Sequence, residues 1–83
     1  MELYTITIYI RDYDDYSLDT FVKEDYQSAL SFAISERESF KHSCETNGYY
    51  ERNLEGTCID AYFKDNDRVS FEATIKKHEV HSN

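Results

Sequence analysis

A strictly alternating stretch near the N-terminus constrains the fold of this chain more than any other feature. Over residues 3–11, tyrosine and isoleucine side chains alternate with leucine, threonine and tyrosine side chains. A period of two in β-branched and aromatic residues is typical of a strand with one buried face. We therefore predict a strand over residues 3–11 that directs Tyr4, Ile6, Ile8 and Ile10 into a core.

Two hairpins follow from the same pattern. Residues 18–23 come after an acidic stretch and are predicted to return along the first strand. The acidic connection is longer than the tightest two-residue turns, so we expect an exposed tip. Residues 57–63 and 69–75 alternate around a turn of sequence Lys-Asp-Asn-Asp. In this second hairpin we expect an inward-facing apolar set: Ile59, Ala61, Phe63, Val69, Phe71, Ala73 and Ile75.

A helix is predicted between the hairpins, over residues 25–42. Apolar side chains recur there at three- and four-residue steps, which places them on one helical face. Asp25 or Glu24 is expected to cap the helix, since a carboxylate there accepts hydrogen bonds from free backbone N–H groups. Residues 43–56 have no clear period and are predicted to form a loop. The predicted buried face of the helix includes Tyr26, Ala29, Leu30, Ala33, Arg37 and Phe40.

These elements define an α+β protein with the order β-β-α-β-β. One helix would cover one face of a four-stranded, mainly antiparallel sheet, because each strand has an apolar inward set and a mostly polar outward set. A length of 83 residues allows one domain with a modest core. We place this domain at residues 1–77 and expect residues 78–83 to fray. A hydrophobic content of 40% is too high for a disordered acidic chain.

The charge of the chain restricts its partners. Seventeen acidic residues against nine basic residues give a net charge of −8, and residues 1–28 alone carry seven acids against two bases. Such a chain repels polyanions, so direct binding to nucleic acid or to an anionic membrane is disfavoured. A basic protein surface is the favoured partner.

The expected location is the cytoplasm. No apolar run approaches the roughly 20 residues that a membrane-spanning helix needs. The N-terminal residues lack the basic region and the small-residue cleavage site of a secretory signal. Cys44 and Cys58 are accordingly expected to be free thiols.

The strongest candidate for a partner-binding site is the acidic stretch at residues 12–19, Asp-Tyr-Asp-Asp-Tyr-Ser-Leu-Asp. Carboxylates spaced like phosphates would mimic DNA and pair with Lys or Arg, while tyrosine is favoured at protein contact sites. The alternative is a solvated hairpin tip whose charges aid solubility. A calcium loop is a third interpretation, but the glycine and the distal glutamate of an EF-hand are missing. The residues proposed for partner binding are Asp12, Tyr13, Asp14, Asp15, Tyr16 and Asp19.

Two further tyrosine-containing surfaces are candidates for partner binding. Tyr9, Asp60 and Tyr62 are predicted to share the open face of the sheet, and ordinary cross-strand pairing of the tyrosines is the alternative. Tyr49 and Tyr50 are predicted to be exposed in the loop that follows the helix. The alternative for that pair is a position folded back over the edge of the core.

No sequence motif supports catalysis, a metal site or a cofactor. The chain has no G-x-S-x-G, no glycine-rich phosphate loop and no H-E-x-x-H. Its adjacent carboxylates are expected in an exposed turn, where water opposes the shifted pKa that acid–base catalysis needs. The histidines and cysteines lack C-x-x-C spacing, so structural thiols and a disordered tail are favoured over zinc. We expect no enzyme, no metal and no cofactor; the metal ligands considered are His42, Cys44, Cys58, His78 and His81.

The entry into the predicted helix, residues 20–29, has the sequence Thr-Phe-Val-Lys-Glu-Asp-Tyr-Gln-Ser-Ala. With its length, net charge and β-β-α-β-β order, the chain resembles small acidic proteins of phages and mobile elements, including anti-CRISPR proteins. The resemblance implies a stoichiometric inhibitor that docks on a CRISPR effector subunit and occupies its Lys- and Arg-rich surface. It carries over no catalytic or ligand residue. The alternative is a homodimeric regulatory or antitoxin-like module that pairs through an edge strand, without nucleic-acid mimicry.

Overall fold

The computed structural model of the chain has five strands and one helix in the residues that it describes, which are 2–44, 48–52 and 58–79. For Cys44, residues 49–52 and Cys58 it describes the backbone alone. The elements are β1 (Glu2–Asp12), β2 (Asp15–Lys23), α1 (Tyr26–Cys44), β3 (Tyr49–Arg52), β4 (Cys58–Lys64) and β5 (Val69–Glu79).

The five strands form one antiparallel sheet in the order β2-β1-β5-β4-β3. The helix α1 packs on one face of this sheet, mainly over β1, β4 and β5. The predicted α+β class is confirmed, and the four predicted strands occur in the predicted order around the helix. The structure adds β3, a strand of four residues at the edge beyond β4.

The strand β1 forms ladders with a neighbour on each side, β2 and β5. Its alternating sequence suits this position, because Ile6 and Ile8 are buried on the helix face while threonine and tyrosine occupy most of the other face. Tyr4 and Ile10 are partly buried and pack against the same core. The predicted inward set of the first strand is therefore confirmed.

The helix closes the core with small residues at its centre. Ala29 and Ala33 are fully buried, so the helix backbone lies close to the sheet. Farther along the helix, Phe40 contacts Tyr62 and Phe71, with ring centroids 6.0 Å and 5.8 Å apart. Aromatic pairs at these distances stabilise a core beyond the area that they bury. At the start of the helix, Tyr26 packs edge-on against Tyr4 of β1 with ring centroids 5.9 Å apart, so both ends of the helix are attached to the sheet.

The helix begins where the sequence predicts. Asp25 accepts a hydrogen bond from the backbone N–H of Ser28 at 2.7 Å and another from its hydroxyl at 2.9 Å. These bonds hold the pKa of Asp25 below its ordinary value, because they favour the charged carboxylate. Of the two carboxylates considered for this role, Asp25 is the N-cap. The helix ends at Cys44, slightly beyond the predicted end at residue 42.

The first hairpin, β1 with β2, turns more tightly than predicted. Asp12 pairs with Asp15, so the connection is the two-residue turn Tyr13-Asp14. The second strand consequently begins at Asp15 instead of residue 18. Most of the acidic stretch is therefore strand, and only its first part forms an exposed tip.

The last strand is longer than predicted. The pattern predicts an end at residue 75 and fraying over residues 78–83, but β5 continues to Glu79 and pairs it with Glu2. This pairing is possible because β1 begins at Glu2 and supplies a partner for every residue of β5. Residues 80–83 of the predicted tail lie outside the described residues.

The strand β3 lies in the segment predicted to be a loop. Gly48 precedes it at a point that admits no side chain, because a Cβ there would overlap the carbonyl oxygen of Phe63 and the ring of Tyr62. Glycine is the residue that allows the backbone to approach β4 this closely. Tyr49 to Arg52 then pair with β4, although their sequence has no period that would identify a strand.

The residues of β4 face the opposite way to the prediction. A β-bulge between Cys58 and Asp60 places an extra residue in β4. A shift of one residue moves every following side chain to the other face of a sheet. Tyr62 therefore pairs with Phe71 and joins the core, and Asp60 points towards α1. By the same alternation, Ala61 and Phe63 lie on the face away from the helix.

A buried ion pair holds Asp60 on the helix side. Arg37 Nη1 donates to Asp60 Oδ1 at 2.5 Å, and Arg37 Nη2 donates to Glu38 Oε1 at 2.8 Å. Arg37 is 4% exposed and Asp60 is 1% exposed, so both charges are removed from water. Burial lowers the pKa of Arg37, but hydrogen bonds to the two carboxylates outweigh burial and raise it above its ordinary value. The pair ties α1 to β4.

We predict that Asp60→Asn lowers the free energy of unfolding by about 3 kcal/mol, because the Arg37 charge then stays buried opposite a neutral group. Chemical denaturation measures this loss. Glu38→Gln is the matched control: it also removes one carboxylate from Arg37, but Glu38 is half exposed, so the loss should stay below about 1 kcal/mol. Equal losses in the two variants would contradict the assignment of the buried pair.

Candidate functional site

The exposed apolar surface of the described chain is concentrated on the first hairpin and the residues after it. Six large apolar or aromatic side chains are exposed among the described residues, and all lie between residues 13 and 26. A contiguous exposed apolar patch on a small folded protein marks an interaction surface, and only those of the six that share one face of the hairpin can form such a patch. The six are Tyr13, Tyr16, Leu18, Phe21, Val22 and Tyr26.

Three of these side chains form a row on the face away from the helix. Leu18 lies opposite Tyr9 and Val22 lies opposite Thr5, and both partners belong to the outward set of β1. Tyr16 stacks on Tyr9, with ring centroids 6.4 Å apart and planes inclined by 27°. Tyr16, Leu18 and Val22 are 75%, 63% and 57% exposed, so most of this row is open to a partner.

On the helix side, α1 covers only the C-terminal part of β2. Phe21 packs on Phe32 with ring centroids 4.7 Å apart, and the Lys23 ammonium lies 4.8 Å from the centre of the Phe32 ring. These contacts attach this end of β2 to the helix. Asp19 lies nearer the turn, opposite Ile8, and is exposed.

At the turn, Tyr13 is held in a left-handed backbone conformation with φ of 57°. Its N–H donates to the carbonyl oxygen of Arg68 at 2.9 Å, and its own carbonyl accepts a bond from Arg11 Nε at 3.2 Å. The Tyr13 hydroxyl donates to the carboxylate of Asp65. A positive φ is uncommon for an aromatic residue, and these bonds explain how the structure maintains it.

The turn between β4 and β5 lies beside the first turn. Its residues Asp65, Asn66 and Asp67 all have positive φ, which Asp and Asn adopt more readily than most residues. The bonds from Tyr13 to Arg68 and Asp65 join the two turns into one end of the sheet. The sequence does not reveal this contact, because it depends on β1 and β5 being neighbours.

Negative charge is densest at the turn, where Asp12, Asp14 and Asp15 lie close together, and it continues along β2 at Asp19. At the turn, Arg11 and Arg68 lie close to Tyr13 and offset part of the charge. Residues 12–25, which we call the acidic edge, contain six carboxylates and a single base, Lys23. An approaching partner therefore meets carboxylates at the turn, at Asp19 and just beyond the end of β2, beside the row of apolar side chains.

Two hollows on the described surface are too open or too small for a small-molecule site. One of about 170 Å³ is lined by Ile10, Asp12, Asp15, Tyr16 and Ser17. Ligand pockets usually have volumes of roughly 300–1,000 Å³ and bury most of the ligand. A broader one lies on the solvent side of α1, among residues 35–43, and is wide open to solvent. Neither hollow points to a small-molecule ligand.

The structure brings some predicted site residues together and separates others. The residues predicted from the acidic stretch lie together on the first hairpin, and Tyr9 joins them through its stack on Tyr16. Asp60 and Tyr62 do not join Tyr9, because both are buried against α1. The predicted binding patch of Tyr9, Asp60 and Tyr62 is therefore wrong.

Tyr49 and Tyr50 are strand residues and not loop residues. They lie on β3, at the edge of the sheet opposite β2, so their backbone is separated from the acidic edge by the width of the sheet. Their side chains lie outside the description. The prediction that they contact a partner stays a prediction, and any such contact would be independent of the acidic edge.

The candidate metal ligands do not meet in the part of the chain that the structure describes. No group of three His, Cys, Asp or Glu side chains there could hold a metal ion. Thr5 Oγ1 and His78 Nε2 are 2.9 Å apart, within hydrogen-bonding distance, and His42 is exposed on α1. The side chains of Cys44 and Cys58, and all of His81, lie outside the described set.

Comparisons with known proteins assign no function to this chain. No family model matches the chain, and neither curated proteins nor solved structures provide a match. Among residues 2–44, 48–52 and 58–79, no helix has the length and apolar character needed to cross a bilayer. The function is therefore inferred from the geometry of the first hairpin.

The contact between the two turns has a titration signature. The hydrogen bond to Asp65 raises the pKa of Tyr13 above its ordinary value of 10.0, because the carboxylate favours the protonated phenol. At pH values below 10.0 this bond therefore stabilises the folded protein. The stabilisation is lost as the pH rises through the pKa of Tyr13 in the folded state. We predict that Asp65→Asn returns the pKa of Tyr13 towards 10.0.

An NMR titration of the Tyr13 ring carbons measures this shift. Asp67→Asn is the matched control, since it removes one charge from the same turn but leaves the hydrogen bond to Tyr13 in place. An equal fall in the pKa of Tyr13 in both variants would assign the effect to general charge and contradict the specific contact.

Proposed function

We propose that this protein is a small binding protein that docks the acidic edge, residues 12–25, onto a basic surface of another protein. The observation that supports the proposal is the coincidence of two features on one hairpin. The exposed large apolar side chains of the described chain lie in or directly beside the acidic edge, which also carries six carboxylates against one base. Exposed aromatic side chains among complementary charges are typical of a protein contact site.

The two kinds of residue have different roles in the proposed interface. Tyr13 and Tyr16 are the anchors, because buried aromatic side chains usually supply most of the binding free energy. Asp12, Asp14, Asp15 and Asp19 pair with Lys or Arg of the target. Such charge pairs mainly accelerate the encounter and make it sensitive to salt.

The target class follows from the charge. Surfaces rich in Lys and Arg on cytoplasmic proteins commonly bind nucleic acid, since affinity for phosphates depends on these residues. A protein that occupies such a surface excludes DNA or RNA from it and inhibits its owner stoichiometrically. The resemblance to anti-CRISPR proteins makes a CRISPR effector subunit the first target to assay. The proposal places the protein in the cytoplasm of the cell that contains this target.

A homodimeric regulatory module is the second candidate, and one observation favours it. β2 is an exposed strand at the edge of the sheet, and such strands pair with copies of themselves in many proteins. Charge opposes this candidate, because pairing two copies through β2 brings two acidic edges together. We therefore rank the basic partner first.

The electrostatic part of the proposal predicts a position-specific loss of binding. Replacing Asp12, Asp14 and Asp15 together by Asn should slow association with the target by about tenfold or more at low salt, since complementary charge steers the encounter. The matched control replaces Glu2, Glu36 and Glu79 by Gln. It changes the net charge by the same amount, but Glu2 and Glu79 pair at the opposite end of the sheet.

The experiment is a capture from bacterial lysate on the immobilised protein at low and high salt, with mass spectrometry of the bound fraction. The wild type and the control variant should retain a nucleic-acid-binding protein that added duplex DNA displaces, whereas the Asn variant should lose it. If the Asn variant retains the same protein as strongly as the control, the acidic edge is not the binding site.

A further inference from the structure

β2 is the long open edge of the sheet. It comprises nine residues, pairs with β1 without any register shift and contains no proline. In the part of the chain that the structure describes, no strand lies on its outer side. Natural proteins usually protect such an edge by keeping it short, bulged, charged or interrupted by proline. The opposite edge, β3, has four described residues. β2 is long and regular, and its charged residues Asp15, Asp19 and Lys23 are its protection.

The register shows which backbone groups of β2 are open. Asp12 and Asp15 flank a two-residue turn, so they form a hydrogen-bonded pair. The N–H of Tyr13 points the other way, to Arg68, as this alternation requires. Every second residue of β2 after Asp15 therefore bonds to β1. The remaining residues direct their N–H and C=O groups outwards: Tyr16, Leu18, Thr20 and Val22.

The two faces of this edge differ in chemistry. On the face away from α1, Tyr16, Leu18 and Val22 form the exposed apolar row. On the helix face, Asp15 and Asp19 are exposed in register with Asp12 and Ile8 of β1. Side chains of an added strand alternate between the same two faces. A complementary added strand would present apolar residues on the face away from α1 and basic residues on the helix face.

We propose that β2 accepts an extended segment of the partner as an additional strand, in which basic and apolar residues alternate. This inference rests on the proposed function and specifies the mode of binding: main-chain hydrogen bonds to the open edge supply affinity, and the two faces supply specificity. The basic residues of the segment pair with Asp15 and Asp19. Its apolar residues cover the row formed by Tyr16, Leu18 and Val22.

The negative charge of the acidic edge favours a basic segment over a second copy of the chain as the strand that pairs with β2. The acidic edge has six carboxylates and one base, so two copies paired through β2 would place like charges side by side along the strand. A basic segment removes this repulsion and replaces it with attraction. Self-pairing is nevertheless one of the results that the experiment can return.

The test compares two labelled peptides with the same length and composition, by fluorescence anisotropy. In one peptide arginine and valine alternate, and in the other all arginines precede all valines. Strand addition predicts that the alternating peptide binds the wild type at least about tenfold more tightly, a difference equivalent to one or two hydrogen bonds.

Variants at Thr20 separate backbone pairing from side-chain contacts. Thr20→Pro removes one outward N–H, and proline is tolerated on an edge strand, whereas Thr20→Ala keeps the N–H. The preference for the alternating peptide should disappear in Thr20→Pro and persist in Thr20→Ala.

Amide hydrogen exchange on the wild type gives a readout that needs no variant. In the free protein, the amides of Tyr16, Leu18, Thr20 and Val22 should exchange rapidly while those between them are protected by β1. The alternating peptide should slow exchange at the first set. Unchanged exchange there at saturating peptide would overturn the inference, even if Thr20→Pro fails to fold.

The outcomes distinguish this inference from the proposed function. Equal binding of both peptides, unaffected by Thr20→Pro but lost when Asp12, Asp14 and Asp15 become Asn, overturns strand addition and leaves the basic partner in place. Binding of neither peptide overturns strand addition, and the capture experiment then decides the proposed function separately. A dimer in sedimentation that dissociates in Thr20→Pro shows that a second copy occupies the edge, which overturns the proposed occupant.

Discussion

The structure depends on the pairing of β1 with two neighbours. β1 pairs with β5 over its whole length and with β2 from Tyr4 to Asp12, so these three strands form the longest part of the sheet. A helix is about 10 Å wide and neighbouring strands are about 4.8 Å apart, so the helix packs mainly over three of the described strands, β1, β4 and β5, and contacts β2 only in its C-terminal part. The buried pair of Arg37 with Asp60 ties α1 to β4, on the side of the sheet away from β2. The helix consequently leaves most of β2 uncovered.

Apolar side chains remain on the surface because they lie on the face of the sheet opposite to the helix. Tyr16, Leu18 and Val22 face away from α1, and their neighbours on β1 are mostly tyrosine and threonine. They contribute little to the core that contains Ile6, Ile8 and Phe71. In the proposed function a partner covers these exposed side chains, and the carboxylates beside them favour a basic partner. The constraint that shapes the sheet therefore also creates the proposed binding edge.

Sequence patterns predict the elements that neighbouring residues determine. They miss the features that depend on contacts between residues far apart along the chain. The alternation in β1 and β5, the helix and its cap at Asp25 follow from neighbouring residues. The face of the sheet on which Asp60 and Tyr62 lie depends on a β-bulge and on Arg37, which is distant along the chain. Likewise β3 exists only through its ladder with β4, and the contact of Tyr13 with Asp65 requires knowledge of the strand order. The acidic residues of the site were predictable, but the apolar row was not, because the pattern of β2 does not show that it is an edge.

The most direct test of the account is NMR chemical-shift mapping of the labelled protein as its captured partner is added. Binding through the acidic edge predicts that the largest amide shifts fall between Asp12 and Val22, with no change on the solvent side of α1 at Ser35, Ser39 and His42. This helix surface is exposed or open to solvent and serves as an internal control. Shifts centred on α1, with residues 12–22 unchanged, would contradict the account.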